Sequence, residues 1–135
     1  MTTRILWILA LSCLLALPAA AADALSIRLV EATNDEKGDN AGLEDVIDVL
    51  KKNLSYKTYT LVAKASVALP AKNAVHTLGK FTVTCSGKKD KFTISIARDK
   101  KELLNTSVKL QPGSPLVLGG FSSEKGKMAL VFVVE

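Results

Sequence analysis

The spacing of apolar residues along this chain changes three times. An uncharged run, Ile5 to Leu17, comes first and is followed by Pro18 and the small residues Ala19 to Ala22. Leu25, Ile27 and Leu29 then alternate with Ser26 and Arg28, which predicts a strand over about residues 24–32. A polar, glycine-punctuated stretch from Thr33 to Gly42 interrupts the alternation. Beyond it Leu43, Val46, Ile47, Leu50 and Leu54 recur at steps of three and four, with Glu44, Asp45, Asp48, Lys51 and Lys52 on the other face. That spacing predicts an amphipathic helix whose charges, acids first and lysines last, suit its dipole.

From Tyr56 the period falls to two. Tyr59, Leu61, Ala63, Ala65, Val67 and Leu69 share one face of an extended stretch that ends at Pro70. Phe81, Val83 and Cys85 alternate with Thr82, Thr84 and Ser86, and across Gly87-Lys-Lys-Asp90 the run Phe92, Ile94, Ile96 repeats the alternation, as a hairpin requires. Turns at Arg98–Lys101 and Gln111–Pro115 lead into Leu104, Thr106, Val108, Leu110 and into Leu116-Val-Leu118. The last run, Met128 to Val134, is apolar on both faces, the mark of a strand central to its sheet. Together these elements predict an α+β, mostly β domain. One helix follows the first strand, and an antiparallel meander then forms a two-layer or sandwich-like arrangement.

The N-terminal run changes what the remainder must be. Arg4 before it and Ala20 and Ala22 after it supply the positive start, apolar segment and small-residue site of a Sec-type signal peptide, residues 1–22. The run is too short for a membrane helix, which needs about 20 apolar residues. The expected product is a single exported domain, residues 23–135, periplasmic or else extracellular, with no transmembrane segment. Cleavage removes Trp7 and Cys13 and leaves Cys85 as the one thiol, so an intramolecular disulfide is excluded and Cys85 is expected in the core.

Charge divides unevenly along the mature chain. Residues 23–48 hold eight acids against Arg28 and Lys37, whereas residues 49–135 hold fifteen Lys and Arg against five acids. An anionic surface contact is compatible with that balance. Lysines at turns, such as Lys88, Lys89, Lys91, Lys100 and Lys101, also keep β-rich surfaces soluble. Nucleic acid is not an expected partner given the export signal, and the scarcity of aromatic side chains argues against exposed platforms for stacking sugars or single-stranded nucleic acid.

Candidate chemistry is sparse. His76 is the only histidine, and it alternates out of phase with Phe81, Val83 and Cys85, which places it toward solvent or a strand edge and away from Cys85. Two Ser-x-x-Lys matches, Ser86 to Lys89 and Ser122 to Lys125, fall in turns rather than on the helix that this pairing needs. Asp35, Glu36, Asp39 and Asn40 offer oxygen ligands without EF-hand spacing. No catalytic, cofactor-binding or metal-binding residue is assigned, and a non-enzymatic reading follows.

One segment resembles a known family. Leu110-Gln-Pro-Gly-Ser-Pro-Leu-Val-Leu-Gly-Gly-Phe121 is similar to the Leu-Val-Leu-Gly-Gly segment of bacterial secretins, although the chain is too short to be a secretin itself. In that family the segment is structural, so the resemblance implies a cell-envelope setting and assigns no site residue. The expectation is an exported interaction module with a protein partner in the envelope, docking through a sheet edge or the helix face. The alternative is a small domain carrying an apolar or anionic molecule.

Overall fold

A computed structural model describes residues 23–35 and 40–135. Residues 1–22, where a signal peptide is expected, and residues 36–39 lie outside the described residues. Among the described residues, eight strands and one helix follow in the order β1 (Asp23–Thr33), α1 (Ile47–Asn53), β2 (Thr58–Leu69), β3 (Ala71–Leu78), β4 (Phe81–Lys88), β5 (Lys91–Arg98), β6 (Lys101–Val108), β7 (Leu116–Ser122) and β8 (Gly126–Val134). They build two four-stranded antiparallel sheets, ordered β2-β1-β8-β7 and β3-β4-β5-β6. The α+β, mostly β architecture is the one the periodicities predict, with two sheets layered face to face and no closure into a barrel. The chain crosses from one sheet to the other at Pro70, where β2 ends and β3 begins.

The space between the sheets is filled from both sides. Leu25, Ile27 and Leu29 of β1 and Leu130, Phe132 and Val134 of β8 meet Phe81, Val83 and Cys85 of β4 and Phe92, Ile94 and Ile96 of β5. A second cluster lies on the outer face of the first sheet, where Val30, Ala32, Tyr59 and Val131 pack against Leu43, Val46 and Leu50. Thus β8 is apolar on both faces because one faces the opposite sheet and the other lies under the helix.

The helix is shorter than its apolar spacing predicts. Residues 44–46 form turns, and regular helix begins only at Ile47. Asp48 lies in its first turn and Lys51 and Lys52 in its last, as the charge order predicts, whereas Glu44 and Asp45 precede the helix and have other partners. Glu44 accepts hydrogen bonds from the Gly42 amide at 3.0 Å, and Asp45 accepts from the Arg28 guanidinium at 2.6 and 3.0 Å. That fork lowers the Asp45 pKa and raises that of Arg28, and it ties the helix approach to β1. At the other end the buried Tyr59 hydroxyl donates to the Leu54 carbonyl at 2.6 Å, satisfying a carbonyl just past the last turn.

The expectation that Tyr59, Leu61, Ala63, Ala65, Val67 and Leu69 share one face is corrected. Leu29 pairs with Ala63 but Val30 pairs with Leu61, so Val62 is an extra residue bulged out of β2. Tyr59 and Leu61 therefore pack toward the helix, and Ala63 to Leu69 toward the opposite sheet. The same device recurs on every edge strand. Register slips by one at residues 72–73 of β3, at Leu103 of β6 and at Gly120 of β7, always with the extra residue on the outer strand of the pair. The four central strands, β1, β8, β4 and β5, carry none.

Candidate functional site

At one end of the sandwich a cleft of about 780 Å³ is lined by residues of both sheets. Its floor is apolar: Leu29, the bulged Val62, Phe81 and Met128. Val62 is one of only two large apolar side chains exposed among the described residues, at 47 %. The rim is charged with both signs, Glu31, Asp99 and Glu124 beside Lys80, Arg98 and Lys125. The β3–β4, β5–β6 and β7–β8 turns supply most of that rim, so three hairpins converge on one opening.

Arg98 organises this end. It closes β5 on the inward face, and its guanidinium lies 5.1 Å from the Phe81 ring centroid. One amino group donates to the Ser122 carbonyl on β7 at 2.7 Å. Phe81 in turn contacts Phe121 with ring centroids 5.4 Å apart. A cation over an aromatic face and a hydrogen bond to the other sheet thus hold the guanidinium across the mouth of the sandwich. The sequence marks Arg98 only as a turn residue, and the inward phase of Phe92, Ile94 and Ile96 extended by two positions is the signal that identifies its direction.

The phase assigned to His76 is also corrected. Leu78 pairs with Phe81 across the two-residue turn Gly79-Lys80, so His76 pairs with Val83 and shares its inward face. A two-residue turn joins even positions of one strand to odd positions of the next, and counting parity straight through the turn gives the wrong side. The strand-edge placement stands, since β3 is outermost in its sheet. His76 and Cys85 consequently lie on one face of adjacent strands, because Cys85 pairs with Ala74. No hydrogen bond joins them.

Cys85 is fully buried, and desolvation pushes its thiol up to about 11. The unfolded chain ionises this thiol near its ordinary pKa, whereas the folded chain keeps it protonated, so folding stability falls as pH rises from about 9 toward 11. The expected loss is about 2–3 kcal/mol across that window. Urea titrations of the wild type and Cys85→Ala at pH 8.5 and 11 check it: the gap between the two proteins should narrow at the higher pH, and a gap independent of pH contradicts it.

Of the other residues singled out by sequence, Lys89 pairs with Asp23 at 2.7 Å. Ser123 receives the Gly126 amide at 3.0 Å and closes the β7–β8 hairpin, so Ser122 and Lys125 are separated by a strand turn. Asp35 and Asn40 are exposed, while Glu36 and Asp39 lie outside the described residues. Among the described residues no helix is long and apolar enough to cross a membrane. Comparison with protein-family models finds no match, and the same holds for the curated proteins and for the solved structures.

Proposed function

We propose that the chain is a non-enzymatic interaction module of the cell envelope, exported by its N-terminal signal, and that it engages a protein partner through the cleft between its two sheets. The observation that carries this reading is the cleft itself, an apolar floor with an exposed Val62 inside a rim of mixed charge. The two other docking routes are weaker. The apolar side of α1 and of the turn before it is consumed by the first sheet, with Leu50 of the helix and Leu43 and Val46 ahead of it fully buried. Each sheet edge is interrupted by a bulge, which opposes strand addition. The non-enzymatic part is supported by the state of the thiol beside His76, buried and held protonated.

A photoreactive amino acid at position 62, introduced in cells of the native host, tests the reading. The expected result is one discrete protein adduct in the envelope fraction that disappears when Arg98→Ala is added. Adducts formed equally well from position 75, exposed at 59 % and outside the cleft, would overturn it. In the same fraction the intact mass should lack residues 1–22.

The second reading, a carrier for a small apolar or anionic molecule, draws on the same cleft and on a guanidinium that makes a single hydrogen bond at its mouth. Native mass spectrometry of the purified domain separates the two, because only a carrier retains a small-molecule adduct that Arg98→Ala releases.

A further inference from the structure

The outer face of the β3-β4-β5-β6 sheet, away from the cleft and the helix, carries a row of like charges. Lys88 of β4 pairs directly with Lys91 of β5. Lys109 follows Val108, the last residue of β6 and the partner of Phe92, so it lies just beyond the end of the ladder on the Lys91 side. Three exposed lysines therefore gather at one end of this sheet, Lys88 and Lys91 as a direct cross-strand pair and Lys109 just past the end of β6. Like charges directly opposite in a sheet are destabilising. None of the three forms an ion pair with a carboxylate of the described residues. Asp90, in the turn between Lys88 and Lys91, makes no such pair, and Asp23 is taken by Lys89.

Behind this row stand rungs of hydroxyl groups. Ser86 pairs with Thr93 and Thr93 with Ser107, with the Thr93 and Ser107 oxygens 3.4 Å apart. Next come Thr84, Ser95 and Asn105 in one line. The only acid on this face, Glu102, accepts from Ser95 at 3.1 Å and Asn105 at 3.2 Å. Charge also separates by layer. Residues 71–110, which include this sheet, hold nine Lys and Arg against three acids, whereas the rest of residues 23–135 holds eight against ten.

We infer that this face binds an acidic polysaccharide, with Lys88, Lys91 and Lys109 meeting its charged groups and the Ser/Thr rungs hydrogen-bonding its hydroxyls. Charge complementarity sets the sign of the ligand. Hydroxyl rungs suit a polymer that is itself rich in hydroxyl groups. Among the described residues the face has no aromatic side chain, since Phe81 and Phe92 point into the core, so neither nucleobases nor sugar rings stack there and recognition rests on the lysines and hydroxyls. Val75 is its one exposed large apolar side chain, too little to enter a bilayer.

The test compares a row variant, Lys88→Gln, Lys91→Gln and Lys109→Gln together, with a control of equal charge loss at exposed positions elsewhere, Lys51→Gln, Lys52→Gln and Lys57→Gln. Heparin and polygalacturonate serve as polysaccharide probes, with phosphatidylglycerol vesicles and a thymidine oligonucleotide as the other arms. The row variant should weaken polysaccharide binding at least tenfold and flatten its salt dependence, while the control changes it less than twofold. Its melting temperature at low salt should equal or exceed that of the wild type, since a repulsion is removed. Equal losses in both variants, no saturable polysaccharide binding, or tighter row-dependent binding to vesicles or oligonucleotide would each overturn the assignment.

Discussion

Phe132→Ala is expected to cost about 3–5 kcal/mol, the range for deleting a large aromatic side chain from a packed core. Phe132 is 1 % exposed and sits on β8, which is hydrogen-bonded on both sides, opposite Ile27 of β1 and Leu116 of β7. Its ring fills the middle of the inter-sheet core, and the flanking strands are held too firmly by their ladders to collapse into the space. Domains of this size are stable by about 5–15 kcal/mol, so the variant should lose a large share of its stability. Urea unfolding followed by far-UV circular dichroism measures it. A midpoint shift worth less than about 1 kcal/mol would show that the sheets can close on the cavity. Val75→Ala, at an exposed position, gives the baseline and should change stability by no more than about 0.5 kcal/mol.

The second large effect is expected from Gly119→Ala. A Cβ at position 119 would lie 2.5 Å from both Cα and Cβ of Ala129 and 2.8 Å from the Met128 carbonyl oxygen, all parts of the central strand β8. Backbone held in a ladder cannot retreat, so β7 must pull away, and a loss of about 3 kcal/mol or more is expected. Gly120 differs. A side chain there meets nothing within 4 Å, but its φ of +93° is one that other residues rarely adopt, and Gly120→Ala should cost about 1 kcal/mol. Parallel denaturation of both variants separates a close approach from a backbone conformation. If position 120 were the more sensitive, the bulge rather than the strand contact would govern this pair of glycines.

Wherever local alternation settles the answer, the fold is legible in the sequence. Phe81–Val83–Cys85 against Phe92–Ile94–Ile96 gives the β4–β5 hairpin, and the two-sided apolar run from Met128 to Val134 gives a central strand. What stays hidden depends on single residues. Val62 sits within an unbroken series of odd-numbered apolar positions, and nothing in that series shows that one residue has been squeezed out of the ladder. Parity across Gly79-Lys80 inverts the face of His76 for a similar reason. The strand β3 is obscured as well, because its bulge and edge position leave it little alternation to display. The cleft needs three hairpin turns that are far apart in sequence, so no local pattern announces it. The lysine row becomes visible once the Lys88–Lys91 register is drawn, yet linear inspection reads those residues as turn lysines.

The bulges on all four outer strands limit how this molecule can multiply. An edge can offer only short unbroken backbone, at most residues 63–69 on β2. Copies cannot zip together strand by strand into a continuous ribbon, and growth by templated pairing stops after a few hydrogen bonds. Any ordered array built from this domain must therefore be joined through side chains, with contacts that sequence can tune and a partner can release. For a small β-rich chain, that is the difference between a reversible assembly and a fibre.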